Sequence, residues 1–147
     1  MTACLLDVNV LVAMAWPSHI AFGRVERWLA DHATEGWATC PFTQAAFVRI
    51  LSNPAFSPDA LTPRDAVTLL ATNLKDPGHR FWAADVSLNE AIQPFQHRIT
   101  GHQQITDAYL QGLAIRKKGK LATLDRRVLR LLPEGSPDRA RVEVIGE

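Results

Sequence analysis

Two short apolar runs, Ala3 to Leu6 and Leu121 to Leu124, each lead directly into an aspartate, Asp7 and Asp125. A run without polar alternation reads as a strand covered on both faces, the pattern of a parallel sheet between helical layers. In open sheets of this kind, ligands bind at the carboxyl ends of the strands. A third aspartate, Asp107, stands at the head of a helical pattern, Thr106 to Lys118. If the three converge at one sheet edge, their charges repel too strongly to stand alone. A divalent cation relieves that repulsion, and a phosphodiester is the substrate such a site suits. The pattern predicts a metal-dependent nuclease.

The rest of the chain supports the layered reading. After the first strand, a helix is expected from Val8 to Ala15, ended by the Trp16-Pro17 step because the residue before proline resists helical geometry. Ser18 is read as the cap of a second helix reaching about Ala33, with Ile20, Val25, Trp28 and Leu29 as its apolar stripe. Trp37 to Cys40 reads as the second strand. Thr43 opens a helix that buries Phe47, Val48, Ile50 and Leu51, closed by Asn53-Pro54. Thr62-Pro63-Arg64-Asp65 is a strong helix start, and Val67, Leu70 and Leu74 extend its stripe. Phe81 to Ala84 is expected as the third strand. Gly119 is read as the stop of the Thr106 helix. Leu121 to Leu124 is the fourth strand, Arg126 to Leu132 a short helix, and Val142 to Ile145 a last edge strand. Strands alternating with helices predict a three-layer α/β/α domain with a mainly parallel central sheet, a single domain over residues 1–147.

Composition narrows the class without fixing function. Hydrophobic residues make up 47% and charged residues 21% of 147, ordinary for a globular chain that buries a core unaided. Cys4 and Cys40 sit in apolar runs with no partner at metal-ligand spacing, so they are read as small buried hydrophobes. Trp16, Trp28, Trp37 and Trp82 are read as core. No apolar stretch is long enough to span a membrane and no leader pattern precedes Asp7, so a soluble cytoplasmic protein without membrane contact is expected. Gly-rich phosphate loops, a GxSxG elbow and paired histidines are lacking. His102 is the one histidine close to a candidate acid in sequence.

Each aspartate also has an ordinary explanation, since all three sit where helices begin and aspartate is a favoured cap. Their joint placement favours a common site. Asn9, two residues after Asp7, is suited to orienting water there. Thr43, Thr106 and Thr123 are suited to supporting the site by hydrogen bonds that fix carboxylate direction. Oxygen-only donors select Mg²⁺ or Mn²⁺.

Net charge is only +1, but seven basic residues lie between Arg116 and Arg130 against one acid, Asp125. Arg116, Lys117, Lys118 and Arg126, with Arg49 on an earlier helix, are therefore candidates for contacting RNA phosphates. The alternative is that basic residues near helix ends are simply solvated and complement the dipole.

Four segments, taken together, resemble the PIN-domain ribonucleases, most closely the VapC toxins. They are Leu5-Leu6-Asp7-Val8-Asn9-Val10-Leu11, Cys40-Pro41-Phe42-Thr43-Gln44 with Phe47 to Pro54, Gly101 to Leu110, and Leu121 to Arg126. The resemblance implies an α/β/α fold, Mg²⁺- or Mn²⁺-dependent RNA cleavage and a homodimer. It further implies a VapB-like antitoxin that blocks the site, and a structured substrate such as tRNA or rRNA. It assigns Asp7, Asp107 and Asp125 as metal-binding acids with Asn9 in support. One departure stands out: the family pattern has a glutamate after the threonine of the third helix, where this chain has Gln44. Glutamine keeps an acceptor oxygen and loses the charge, so it would assist weakly or through water.

Two other readings stay open. One is a PIN-like module that binds RNA or protein without turnover because of Gln44. The other is a small-molecule phosphohydrolase on a similar sheet, although the haloacid-dehalogenase type wants an aspartate where Asn9 stands.

Overall fold

The computed structural model describes residues 3–146. In chain order the elements are β1 (Cys4–Leu6), α1 (Val8–Ala15), α2 (Phe22–Asp31), β2 (Trp37–Thr39), α3 (Pro41–Leu51), α4 (Pro63–Asn73) and β3 (His79–Phe81). There follow α5 (Leu88–Ile92), a 3-10 segment (Gln93–Arg98), α6 (Gln104–Arg116) and β4 (Lys120–Thr123). Two further 3-10 segments (Arg126–Leu131 and Pro137–Arg141) lead to β5 (Val142–Val144).

The five strands form one parallel sheet in the order β3-β2-β1-β4-β5. Side chains alternate across each strand, and β1 at the centre is covered on both faces, which explains why all three of its residues are apolar. Cys4, Leu6, Trp37 and Ala122 face a layer built from α1, α2, α3 and α4, with Leu11, Trp28, Phe47 and Leu51 in its core. Leu5, Ala38 and Leu121 face the opposite layer, where α6 supplies Tyr109, Leu110 and Leu113 and α5 supplies Ala91. This is the three-layer α/β/α arrangement that the sequence predicts. From β1 the chain proceeds to β2 on one side, and from β4 to β5 on the other. The β1/β4 boundary is therefore the topological switch point, with the Asp7 and Asp125 turns facing each other across it.

Several expected boundaries move, each for a local reason. Helix α2 starts at Phe22, because Pro17 to Ala21 form a turn in which His19 Nδ1 accepts from the Ala21 amide at 3.0 Å. Ile20 thereby leaves the predicted stripe and is 98% exposed. In α4 the fully buried residue is Ala66, with Val67 exposed. Strand β3 is His79–Phe81, earlier than expected, and pairing ends as the Trp82 amide donates to Thr39 O at 2.8 Å. Helix α6 ends with Lys118 at φ 57°, so Lys118 and not Gly119 takes the left-handed position. Gly119 is needed for space: a Cβ there would lie 2.6 Å from the Trp82 ring and 2.8 Å from Ala3 O.

Helix α5 and its 3-10 extension have no counterpart in the sequence reading. The available signal was Ser87, whose hydroxyl accepts from the Glu90 amide at 3.2 Å in the Ser-x-x-Glu pattern of a helix start. The helix is too short to show a period. It exists because α6 offers a flat seat at Gly112, where an added Cβ would stand 2.0 Å from Ala91 O.

Candidate metal centre

Asp7 leaves β1 and caps α1, its Oδ1 accepting from the Val8 amide at 2.8 Å. Its other oxygen, Oδ2, accepts from the Thr123 hydroxyl at 2.8 Å, and the residue is only 5% exposed. Capping and site roles therefore coexist in one carboxylate. The Thr123 hydroxyl, buried at the end of β4, also accepts from Asn9 Nδ2 at 3.2 Å and from the Asp125 amide at 3.1 Å. Asn9 Oδ1 in turn accepts from the Leu124 amide at 3.2 Å. These bonds tie the β1–α1 turn to the β4 turn across the switch point. The Asn9 amide is thus a strut between the two turns, with both ends engaged in holding them.

Asp107 lies on the first turns of α6, half-buried. Burial, then the nearby charges of Asp7 and Asp125, push its carboxyl up to about 6, against the pull of Arg127. Burial raises Asp7 as well, opposed by its bonds from Thr123 and Val8. The three acids therefore feel one another, and two of them are disfavoured as bare anions.

Asp125 is the exception. Arg127 donates to it through Nε at 3.0 Å to Oδ1 and 3.1 Å to Oδ2, and through Nη2 at 2.8 Å to Oδ2. The Arg127 amide adds a bond to Oδ1 at 2.9 Å, closing the cap of the following 3-10 segment. This partner holds Asp125 below the usual carboxylate range. Among the described residues, no three Asp, Glu, His or Cys side chains stand ready as a metal cage. The donor chemistry nonetheless fits a hard divalent cation: mutually repelling carboxylates, two of them pushed up by burial, with oxygen donors alone. Asp107, Asp125 and Arg127 line one cavity of about 380 Å³, shared with Gln104 and Arg130.

The threonine expectations divide. Thr123 supports the acids directly. Thr43 does not: its hydroxyl accepts from the Cys40 amide and donates to Cys40 O, both at 3.1 Å, and so starts α3, which begins at Pro41. Thr106 points elsewhere, into an apolar cavity of about 340 Å³ beside Phe42, Ile105 and Tyr109, and makes no hydrogen bond to a carboxylate among the described residues. Gln44 is tethered through Nε2 to the Thr39 hydroxyl at 3.0 Å, which meets His79 Nε2 at 2.7 Å. Thr39 and His79 were missed because only β2–β3 pairing brings them under α3.

The basic run also divides. Arg116 and Lys117 lie about 13 Å along α6 from Asp107, at its opposite end, given 1.5 Å of rise per residue. There they pair with Asp85, at 3.8 Å and 3.3 Å respectively. Lys118 follows at the same end. The expectation that the whole run surrounds Asp125 is thus corrected. Only Arg126, Arg127 and Arg130 share its end of β4, and Arg127 was not singled out from sequence. Arg49 is exposed in the last turn of α3, and His102 is exposed ahead of α6.

The cysteines are free and buried, as expected, and burial with Glu143 nearby pushes the Cys4 thiol up to about 12. Of the tryptophans read as core, Trp28 and Trp37 are buried, whereas Trp16 and Trp82 are partly exposed. No helix among the described residues is long and apolar enough to cross a membrane.

No family profile matches the chain. Individual relatives do, and over most of their length. Ribonuclease VapC38 of Mycobacterium tuberculosis is 47% identical over 127 residues, covering 86% of this chain and 88% of the relative. Ribonuclease VapC39 from the same species is 41% identical over 125 residues, 85% and 89% of the two chains. Ribonuclease VapC44, also from that species, is 36% identical over 124 residues, 84% and 87%. With the α/β/α fold and the acids flanking the β1/β4 switch point, these relatives show that the chain belongs to the VapC family of PIN-domain toxins.

Proposed function

We propose that the protein is an Mg²⁺- or Mn²⁺-dependent endoribonuclease, the toxin of a VapBC-like pair acting in the cytoplasm. The observation that carries this reading is the electrostatic coupling of Asp7, Asp107 and Asp125 at the mouth of the β1/β4 crevice. A pure binding module gains nothing from burying carboxylates against one another. Asp7 and Asp107 would hold the principal cation, and Asp125 would complete its surroundings or orient the attacking water. The chemistry such a cation supplies is polarisation of the phosphodiester and a lowered pKa for water.

The chain's own residues do the positioning. Thr123 and Asn9 fix the Asp7 carboxylate relative to the β4 turn, and Gln44 assists from α3. Arg126 and Arg130 offer charge for RNA phosphates on the acid side. In-line attack at phosphorus leaves a 5′-phosphate and a 3′-hydroxyl, as the family resemblance implies. The same resemblance supports a structured substrate such as tRNA or rRNA, a VapB-like antitoxin and a homodimer.

One observation favours a second reading, a PIN module that binds without turnover: both oxygens of Asp125 are held by Arg127, and among the described residues no three acids form a ready cage. Calorimetric titration of antitoxin-free protein with Mn²⁺, beside Asp107→Asn, separates the two. Binding by wild type that disappears in the variant supports the nuclease. Absence of binding at millimolar Mn²⁺ supports the module.

A further inference from the structure

Both oxygens of Asp125 are engaged by Arg127. Oδ1 takes the Arg127 amide at 2.9 Å and Nε at 3.0 Å, and Oδ2 takes Nε at 3.1 Å and Nη2 at 2.8 Å. The single Nε hydrogen is shared between the two oxygens, so three N–H hydrogens of one residue meet a carboxylate that offers about four lone-pair sites. Asp107 lines the same cavity as Arg127 and Asp125. A guanidinium two residues from one acid and sharing a cavity with another is thus the positive charge bonded to this site.

We propose that Arg127 is a built-in counter-ion, which closes Asp125 to a divalent cation and must swing away before Asp125 can serve one. This rests on the metal-binding reading of the acids. Local geometry makes the swing feasible. The Arg127 side chain is 74% exposed, so the fork is a surface ion pair, of the kind that contributes little net stability. Its backbone amide bond to Asp125 remains when the side chain leaves, and the 3-10 segment keeps its cap. The released guanidinium then faces the cavity that Arg130 also lines, positioned for a phosphate oxygen.

The test is Mn²⁺ calorimetry on wild type, Arg127→Gln and Arg127→Lys, with circular dichroism to show that each is folded. Arg127→Gln removes the competing charge and retains the backbone cap. It is expected to bind Mn²⁺ about 1.5- to five-fold more tightly than wild type, the worth of an exposed pair. Arg127→Lys, with a charge but no fork, falls between. Tight binding by Arg127→Gln where wild type shows none supports the proposal most strongly. Equal or weaker binding by Arg127→Gln, with wild type still binding, overturns the counter-ion role and leaves the metal reading intact. No binding by any of the three overturns both. A second readout follows the Arg127 Nε–Hε resonance during Mg²⁺ titration: it moves toward the position of an unpaired guanidinium if the fork opens. A resonance that stays fixed while the Asp107 amide shifts overturns the proposal.

Discussion

The Thr123 hydroxyl donates to Asp7 Oδ2 at 2.8 Å across 116 residues of chain, while Thr123 Oγ1 itself accepts from Asn9 Nδ2 and from the Asp125 amide. One buried atom thereby fixes the turn after β1, the turn after β4 and the direction of a carboxylate. Thr123→Val keeps the shape and strands three polar groups, of which Asp7 is the most buried. At 1–3 kcal/mol for an unsatisfied buried group, the variant is expected to lose about 2–4 kcal/mol in urea unfolding. Thr123→Ser retains the hydroxyl and is expected to lose less than about 1.5 kcal/mol, the cost of one methyl. Equal losses in the two would mean that the methyl group, and not the hydroxyl, holds the turns.

Asp107 makes apo stability depend on pH in a direction opposite to that of a salt-bridged acid. Its folded-state value of about 6 lies above the ordinary 3.8, so the native state holds this proton more tightly than the unfolded chain does. Its contribution to stability without metal is therefore greatest below about pH 4, falls as pH climbs to about 6, and then levels. The raised Asp7 carboxyl acts in the same sense. Asp107→Asn should flatten much of that slope and raise the melting temperature at pH 7.5 by about 2–4 °C, the shift that 1 kcal/mol gives in a chain of this size, while abolishing Mn²⁺ binding. A lower melting temperature in the variant would mean Asp107 is an ordinary paired residue.

Gln44 bears on His79 through Thr39. With Gln44 Nε2 donating to Thr39 Oγ1, the threonine proton is free to go to His79 Nε2, which suits a neutral ring. Burial first, then Arg80, hold that imidazole below its usual value. Gln44→Glu replaces the donor with an acceptor that takes the threonine proton, so His79 must donate instead. An NMR titration should show the His79 pKa rising in the variant, and calorimetry should show tighter Mn²⁺ binding if the added charge reaches the acids. An unchanged His79 would show that the amide is oriented the other way.

Gly112 sets the distance between α5 and α6. An added methyl would meet the Ala91 backbone, 2.0 Å from its carbonyl oxygen, and backbone cannot yield as a side chain can. Gly112→Ala is expected to cost about 3 kcal/mol or more, beyond the usual penalty for overpacking. Hydrogen exchange should show loss of protection concentrated in residues 88–98. Protection there equal to wild type would mean α5 is anchored by other contacts.

If Arg126 and Arg130 face RNA while Arg116 and Lys117 serve Asp85, charge removal should separate them. Arg126→Ala and Arg130→Ala should each weaken binding to a tRNA probe in an Asp107→Asn background and lower the salt slope by about one. Lys117→Ala should leave both nearly unchanged. A loss as large for Lys117→Ala would restore the continuous basic surface suggested by the sequence.

The sequence alone determined the layered fold and pointed to the candidate acids. Apolar runs ending at Asp7 and Asp125 carry that information locally, because a strand buried on both faces needs every side chain apolar. The caps at Thr62 and Asp7 were legible for the same reason, being set by neighbours along the chain. What the tertiary structure decided is direction. Basic residues gathered in one stretch of sequence separate to two ends of the molecule, because a helix terminus and a full strand lie between Lys117 and Arg127. Three threonines of one type divide among a site, a helix start and an apolar cavity. The short helix expected from Arg126 forms as a 3-10 segment, and only its fold turns the Arg127 fork back onto Asp125. Helix α5 forms only where Gly112 of a later helix leaves it room. Patterning records which face a residue buries, and packing between distant elements records what it meets there.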